Sequence, residues 1–378
     1  MGFFRPTFAE IDLNALVHNF NVARECLPEN SGIMAMVKAD AYGHGAVRIS
    51  KKLESAKIAS LGVATVEEGL ELRESGVKSP IIVMGGLMGM GMPASGMMIG
   101  AGLTPVVHSL EVLDSLEDMC RSAGKSINIH LKIDSGMTRL GALPKSLDKL
   151  LNVLKDCKHI KLEGVMTHFA EAYDEEYTAF QMSTFEEAAE RIEQALGPIK
   201  IWHVANSAAT VDGHFVVTKK DAKTWVRPGL MLYGAYPTPD YREKVELKPV
   251  MSLKSSIVLI KSVPAGTKVS YDCTYTTERK SRLGVIPMGY ADGYPWSLSN
   301  KSSVLINGRR IPVVGRVTMD MVVVDLTDID AHIGDEAVLL GSQGEETITI
   351  DELADLAQTI SYELFCGISK RMPRVFVE

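Results

Sequence analysis

Short apolar runs recur along the first part of the chain, spaced so that a helix fits between most neighbours. Residues 33–37, 61–64, 81–84, 104–107, 127–133, 162–167, 199–204 and 224–226 each read as a buried strand. Between them the apolar positions change to a helical period. Asp12 is placed to cap a helix whose Leu13, Leu16, Val17 and Phe20 share one face. Helices are also predicted over 67–74, 110–121, 147–154 and 177–196, the last with Phe180, Phe185, Ala188, Ala189, Ile192 and Leu196 at roughly helical spacing. Eight successive strand–helix units predict an α/β fold, an N-terminal (β/α)8 barrel, rather than an open sheet. The weakest stretch follows Met84, where methionines and glycines alternate up to Met98 without a helical signal. Such methionines fill irregular core gaps more readily than they bind metal.

Around Pro237-Thr238-Pro239-Asp240 the pattern changes. Beyond it short strands dominate, at 251–261, 282–287, 303–306, 310–314, 321–325 and 336–340, with turns at Pro264-Ala265-Gly266 and Asn307-Gly308-Arg309. Asp351, capping 353–358, opens the one convincing helix here. The expected division is a barrel over 1–241, whose first few residues are free to join the other part, and a mostly-β C-terminal domain over 242–378. No solenoid or propeller repeat is evident.

The totals narrow the function. Of 378 residues, 46% are hydrophobic and 23% charged, as in a soluble globular protein. A net charge of −7 speaks against nucleic acid or an anionic membrane as partner. No apolar run reaches transmembrane length, and the N-terminus lacks the apolar core of a signal peptide. The five cysteines are scattered, odd in number and without a CxxC pair, so neither a disulfide framework nor a zinc site is indicated. A cytoplasmic protein without a bound metal is expected.

Barrels carry their active sites at the C-terminal ends of the strands. Here those ends offer Lys38, then Asp134-Ser135-Gly136-Met137-Thr138-Arg139, His168, Asn206-Ser207 and Arg227-Pro228-Gly229-Leu230. A lysine at the end of a core strand is oddly placed, because desolvation disfavours its charge; lysines held that way attack carbonyls. A serine hydroxyl with backbone N–H groups near Gly229 and Leu230 suits a phosphate. An arginine suits a carboxylate or a ring nitrogen. The set fits a phosphorylated aldehyde cofactor bound to lysine, with an amino-acid substrate. Each residue also has a plainer reading: Lys38 snorkelling to the rim, His168 a satisfied rim histidine, Arg227 a structural ion-pair partner, Ser207 the cap of a helix starting at Ala208, Gly229 a simple turn. Their joint occurrence at the strand ends is what argues against those readings.

The spelling of these segments resembles the alanine racemases, which use pyridoxal 5'-phosphate. The stretch from Ala35 to Ala46, AMVKADAYGHGA, is similar to the family's lysine motif, and LKIDSGMTRLG, HVANSAA and RPGLMLYG match further barrel segments. In the second part, the segment from Val269 to Pro295, GRVTMDM and SYELFCGISKRMPRVF continue the resemblance. It implies Lys38 as the lysine that forms a Schiff base with the cofactor and as the base on the D face. It implies Tyr271 as the base on the L face. Tyr42, Ser207, Gly229, Leu230 and Tyr362 are implied as phosphate contacts and Arg227 as the partner of the pyridine nitrogen. His168 is implied as the link between the tyrosine and this arginine. Arg139 would hold a cofactor oxygen and the substrate carboxylate, which Met319 meets through its backbone. Lys132 matches a position that some members carry as a carbamylated lysine; an ordinary lysine paired with a carboxylate stays open. Thr318 stands where the family often has cysteine. The resemblance further implies a head-to-tail homodimer whose shared sites take L- and D-alanine, supplying D-alanine for peptidoglycan. Serine or broad-specificity racemases are the nearer alternatives. A decarboxylase would need a glutamate in place of Arg227, and a non-enzymatic pyridoxal-phosphate-binding protein would lack the second domain.

Overall fold

The structure, a computed structural model, describes residues 4–87, 91–213 and 222–378. The chain opens with β1 (Phe8–Asp12) and the helix Leu13–Glu25, where Asp12 accepts from the Asn14 and Ala15 amides as a side-chain cap. Eight parallel strands then close into a barrel: β2 (Gly32–Met36), β3 (Ser60–Val63), β4 (Ile81–Val83), β5 (Thr104–Val107), β6 (Ile127–Lys132), β7 (Ile160–Met166), β8 (Ile201–His203) and β9 (Lys223–Val226). Closure is made by β2 against β9, with Gly32 opposite Trp225 and Ile33 opposite Val226. These are the eight strands the apolar runs predict, displaced by a few residues at their ends.

Helices cover the barrel by the expected means. Leu147, Leu150, Leu151 and Leu154 of the helix Leu147–Asp156 are buried. Burying each contributes about 1.5–3 kcal/mol, which drives that face onto the strands. A helix also forms at Gly91–Ala101, where the sequence gives little sign of one. Met98 and Ile99 are buried while Met97 is exposed, so apolar side chains sit on both faces and no period is readable. Residues 88–90 of the methionine-rich stretch lie outside the described residues.

The remaining strands are β10 (Met251–Ser256), β11 (Leu259–Val263), β12 (Lys268–Val269), β13 (Tyr275–Thr276), β14 (Ser281–Ile286), β15 (Ser303–Ile306), β16 (Arg309–Pro312), β17 (Val322–Asp325), β18 (Glu336–Gln343), β19 (Glu346–Ile348) and β20 (Arg374–Val377). One sheet runs β16-β15-β18-β10-β1-β20, with β19 beside β18; another is β11-β14-β17. The N-terminal strand β1 lies antiparallel to β10 and parallel to β20, so both ends of the described chain meet in this sheet.

The structure departs from two of these expectations. The run 251–261 is two strands, not one: β10 pairs with β1 and β18, whereas β11 pairs with β14. The chain changes sheet at Ile257 and Val258, whose amides donate to Asp335 and Val285. The helix expected over 353–358 spans Ile350–Ala357, and Thr349 caps it, not Asp351. Asp351 instead accepts from Ser361 Oγ at 2.6 Å and from Arg242 at 3.0 Å. A second helix, Ser361–Gly367, follows it. No helix among the described residues is long and apolar enough to cross a membrane.

Candidate active site

At the C-terminal end of the barrel lies a cavity of about 530 Å3. Its lining brings together Lys38, Tyr42, Lys132, Arg139, His168, Ser207, Arg227, Gly229, Leu230 and Tyr362, residues scattered over more than three hundred positions of sequence. Its volume is that of a small-molecule site. Four cationic side chains line it, and Glu68 is the sole carboxylate among the lining residues, so its field favours an anionic ligand.

Lys38 stands two residues beyond the end of β2, not on it. After it the chain makes a left-handed helical turn: Ala39, Asp40, Ala41 and Tyr42 have φ of 51°, 55°, 53° and 53°. L-residues resist that conformation by roughly 1–2 kcal/mol each. The turn is held by the Ala41 amide on the Val37 carbonyl (2.8 Å), the Gly43 amide on Ala39 (2.9 Å), and the Asp40 side chain, which accepts from the Ala46 amide at 2.8 Å. The Ala39 amide donates to Glu68 Oε1 at 2.7 Å. His44, fully buried, donates from Nδ1 to the Tyr42 carbonyl and packs its ring on Tyr233 and Phe365. Burial, then Arg139, draws the Lys38 pKa down.

Tyr42 points its hydroxyl at Gly229, where a Cβ would come within 2.4 Å of it. Burial pushes the phenol's pKa up, so it stays protonated and can donate. Ser207 is the first residue of its helix, and Asn206 caps that helix through its own side chain. The plainer reading of Ser207 as a cap therefore fails: its Oγ accepts from the Gly229 amide at 3.0 Å instead. Tyr42, Ser207, Tyr362 and the turn at Gly229 thus form one polar end of the cavity, with Lys38 also on its wall.

Arg227 is buried beneath that wall. Its terminal nitrogens donate to the carbonyls of His203, Thr167 (2.7 Å) and Val204 (3.0 Å), to His203 Nδ1 (3.2 Å) and to His168 Nδ1 (3.1 Å). Burial lowers its pKa to about 9, which still leaves it cationic at pH 7. Because a guanidinium only donates, both histidines must accept at Nδ1 and, when neutral, carry their hydrogen on Nε2. Burial and Arg227 hold the His168 pKa well below its ordinary value, so the ring is neutral. His203 Nε2 then donates to His130 Nδ1 at 2.7 Å, and His130 Nε2 faces Glu163 at 3.6 Å, beyond hydrogen-bond length. Two histidines inside a barrel need room, and glycine provides it: a Cβ on Gly164 would lie 2.9 Å from His130 Nδ1. The sequence reading missed His130, His203 and Glu68. The signal for Glu68 was present, since Thr65-x-x-Glu68 spells a helix capping box.

Lys132 is 5% exposed, and its pKa is lowered to about 8 by burial, then by Arg227 and Arg139. Arg139 rides on a loop shaped by Asp134, whose carboxylate accepts from the Gly136 and Thr138 amides. Tyr271 and Met319 are not among the residues lining this chain's cavity. Tyr271 is 71% exposed on a turn in which Ser270, Asp272 and Cys273 all have positive φ, and Met319 is 52% exposed. Among the described residues no group of acidic, histidine and cysteine side chains could hold a metal ion.

Two family models divide the chain between them. Residues 11–237 match the alanine racemase N-terminal domain and residues 250–376 the alanine racemase C-terminal domain. The chain belongs to the alanine racemase family. An alanine racemase of Halothermothrix orenii is 43% identical over 376 residues, which cover 98% of this chain and 97% of the relative. The solved alanine racemase of Clostridium difficile 630 superposes with a TM-score of 0.90 at 39% identity, over 100% of this chain and 97% of that one. The alanine racemase of Bacillus anthracis, solved with bound L-Ala-P, gives 0.91 at 33% identity, over 100% and 96%. The expected fold class, a (β/α)8 barrel followed by a mostly-β domain, is that of the family.

Proposed function

We infer that this protein is an alanine racemase that interconverts L- and D-alanine with pyridoxal 5'-phosphate and two bases on opposite faces of Cα. The observation that carries the reading is the cavity itself, where a lysine, a buried arginine and a hydroxyl-lined glycine turn converge. The residues fit the cofactor. Ser207, Tyr42, Tyr362 and the amides at Gly229 and Leu230 suit its phosphate, and a Cβ at Gly229 would fill that cradle. Lys38 suits its aldehyde carbon. The terminal nitrogens of Arg227 are committed to protein acceptors, which leaves the Nε hydrogen for the ring nitrogen.

When bound, the cofactor supplies a conjugated ring into which negative charge developing at Cα spreads. The chain's own groups do the rest. Arg139 holds the substrate carboxylate, assisted by the Met319 backbone. Lys38 Nζ takes or returns the proton on the D face; its lowered pKa gives more free amine near neutral pH, as a base requires. Tyr271 Oη serves the L face. The exposure of Tyr271 and its absence from this chain's cavity support its delivery by a second copy, in a head-to-tail homodimer. His168, accepting from Arg227 at Nδ1, has Nε2–H left to orient that phenol. Arg227, cationic at pH 7, does not give up a proton to the ring nitrogen, which limits how strongly the ring draws charge and disfavours transamination.

Lys132 suits carbamylation. A pKa near 8 leaves a fraction of neutral amine, whose nitrogen adds to the carbon of carbon dioxide and releases a proton to solvent. The product places an anion beside Arg139.

Circular dichroism following L- and D-alanine, with serine and lysine alongside, tests the reading. Racemisation of alanine in both directions is expected, and Lys38→Ala should abolish it together with the near-visible band of the bound cofactor. Retention of that band in the variant excludes Lys38.

A further inference from the structure

Glu68 is one side chain with two separate tasks. Within its own helix, Val66–Glu74, it completes the capping box: the Glu68 amide donates to Thr65 Oγ1, while Oε2 accepts from the Ala64 amide at 2.6 Å and the Thr65 amide at 3.3 Å. Capping needs nothing more. Yet Oε1 reaches out of the helix to the Ala39 amide at 2.7 Å, twenty-nine residues away in sequence. That amide belongs to the first residue of the left-handed turn and is bonded directly to the carbonyl carbon of Lys38.

We propose that Glu68 is a positioning residue for Lys38, fixing the strained turn that carries the lysine to the start of the neighbouring helix. At its far end Arg374 Nε donates to the Gly43 carbonyl at 3.0 Å, and the other hydrogen bonds that hold the turn are made within residues 37–46. Glu68 ties its first amide to a separate element, anchored in turn by the end of β3. A carboxylate is also the side chain the geometry demands. It accepts at both oxygens, and both ends here face N–H donors. Glutamine would satisfy the helix cap but turn an amide NH2 toward one of those donors, so one of the two attachments must fail. Glu68 is besides the one carboxylate among the described lining residues, and its charge favours the cationic form of Lys38 where Arg139 opposes it.

The inference rests on Lys38 being one of two bases, and the experiment separates the two claims. Glu68→Gln and Glu68→Ala are compared with Thr65→Ala, which weakens the same capping box without touching the Ala39 contact. In the cofactor-free chain, amide exchange of the 38–46 segment is expected to speed up at least about tenfold in both Glu68 variants and not in Thr65→Ala. In the holoenzyme, kcat falls by on the order of ten- to a hundredfold in the Glu68 variants. The primary isotope effect with Cα-deuterated D-alanine rises, while that with L-alanine does not rise, since Lys38 only returns the proton in that direction. Exchange unchanged in both variants overturns the proposal, as do isotope effects that shift equally for the two enantiomers or a Thr65→Ala variant that behaves the same way. If the rise falls on L-alanine instead, Glu68 still positions Lys38 and the assignment of faces is what fails. If the wild-type chain does not racemise alanine, the reading of function fails while the exchange result still decides the role of Glu68.

Discussion

At the scale of single residues the site is a problem of buried charge. Lys132 and Arg227 are both lined up against other cations and both largely withdrawn from water. For Lys132 the folded pKa of about 8 lies below the ordinary 10.5. The unfolded chain therefore binds more protons between those values, and the penalty of folding around the charged lysine fades as pH rises through that window. The expected outcome for the cofactor-free, uncarbamylated chain is that wild type gains stability relative to Lys132→Met between about pH 8 and 10.5, by roughly 3 kcal/mol. Urea titrations of both proteins across that range check it, and a constant difference refutes it. Arg227 answers burial differently, by donating to five acceptors. Arg227→Lys retains the charge, but an ammonium has three hydrogens and no fork, so at least two buried acceptors lose their donor. A loss of about 2–5 kcal/mol is expected in the cofactor-free chain by denaturant unfolding. That loss is separable from any effect on catalysis. Lys38, Arg139, His168, Ser207 and Arg227 were all legible in sequence, because barrel strands announce their ends and chemistry-bearing residues stood there. His130 and His203 were not, since a histidine inside a strand carries no mark of which face it occupies.

At the scale of elements, legibility followed periodicity. Strands buried on all sides read as apolar runs, and amphipathic helices such as Leu147–Asp156 read at once. The helix Gly91–Ala101 has too little polar surface to show a period, and the change of sheet at Ile257 leaves the apolar pattern of 251–261 unbroken. The left-handed turn after Lys38 was beyond pattern reading altogether. Nothing in Ala39-Asp40-Ala41-Tyr42 demands positive φ; the conformation is held by hydrogen bonds within residues 37–46 and by Glu68 and Arg374, partners distant in sequence. Gly43 is where that hold can be tested. Its φ is +76°, and a Cβ there would stand 2.2 Å from the Phe365 carbonyl oxygen, in the helix Ser361–Gly367 that also carries Tyr362. Gly43→Ala should push the two elements apart, weaken the bound cofactor by at least about tenfold, and lower the melting temperature even without cofactor. A variant with wild-type cofactor affinity shows that the turn and that helix tolerate separation.

At the scale of the whole molecule, the proposed two-base mechanism calls on Tyr271 and Met319, which do not line this chain's own cavity. Tyr271 and Met319 could be singled out only through the family resemblance, since an exposed tyrosine on a β-domain turn has no intrinsic signature of catalysis. Their surroundings now argue for a partner. Tyr271, Tyr290, Trp296, Met319 and Met321 are all more than two-fifths exposed. Their turns are cross-linked: Ser270 donates to the Arg316 carbonyl, Arg316 lies over Trp296, and the Tyr290 and Ala291 amides donate to Thr318 and Met319. A rigid, apolar, outward-facing patch of this kind is costly in a monomer and ordinary in an interface. If a second copy delivers Tyr271, a chain carrying Lys38→Ala and a chain carrying Tyr271→Phe should each be inactive alone. In a mixed dimer the two lesions fall together in one site and the other site receives an intact Lys38 and an intact Tyr271. Unfolding and refolding an equal mixture should then restore about a quarter of the wild-type sites, since half the dimers are mixed and each has one whole site. If Tyr271 instead acted within its own chain, every site in every dimer would lack one base, and mixing would restore nothing.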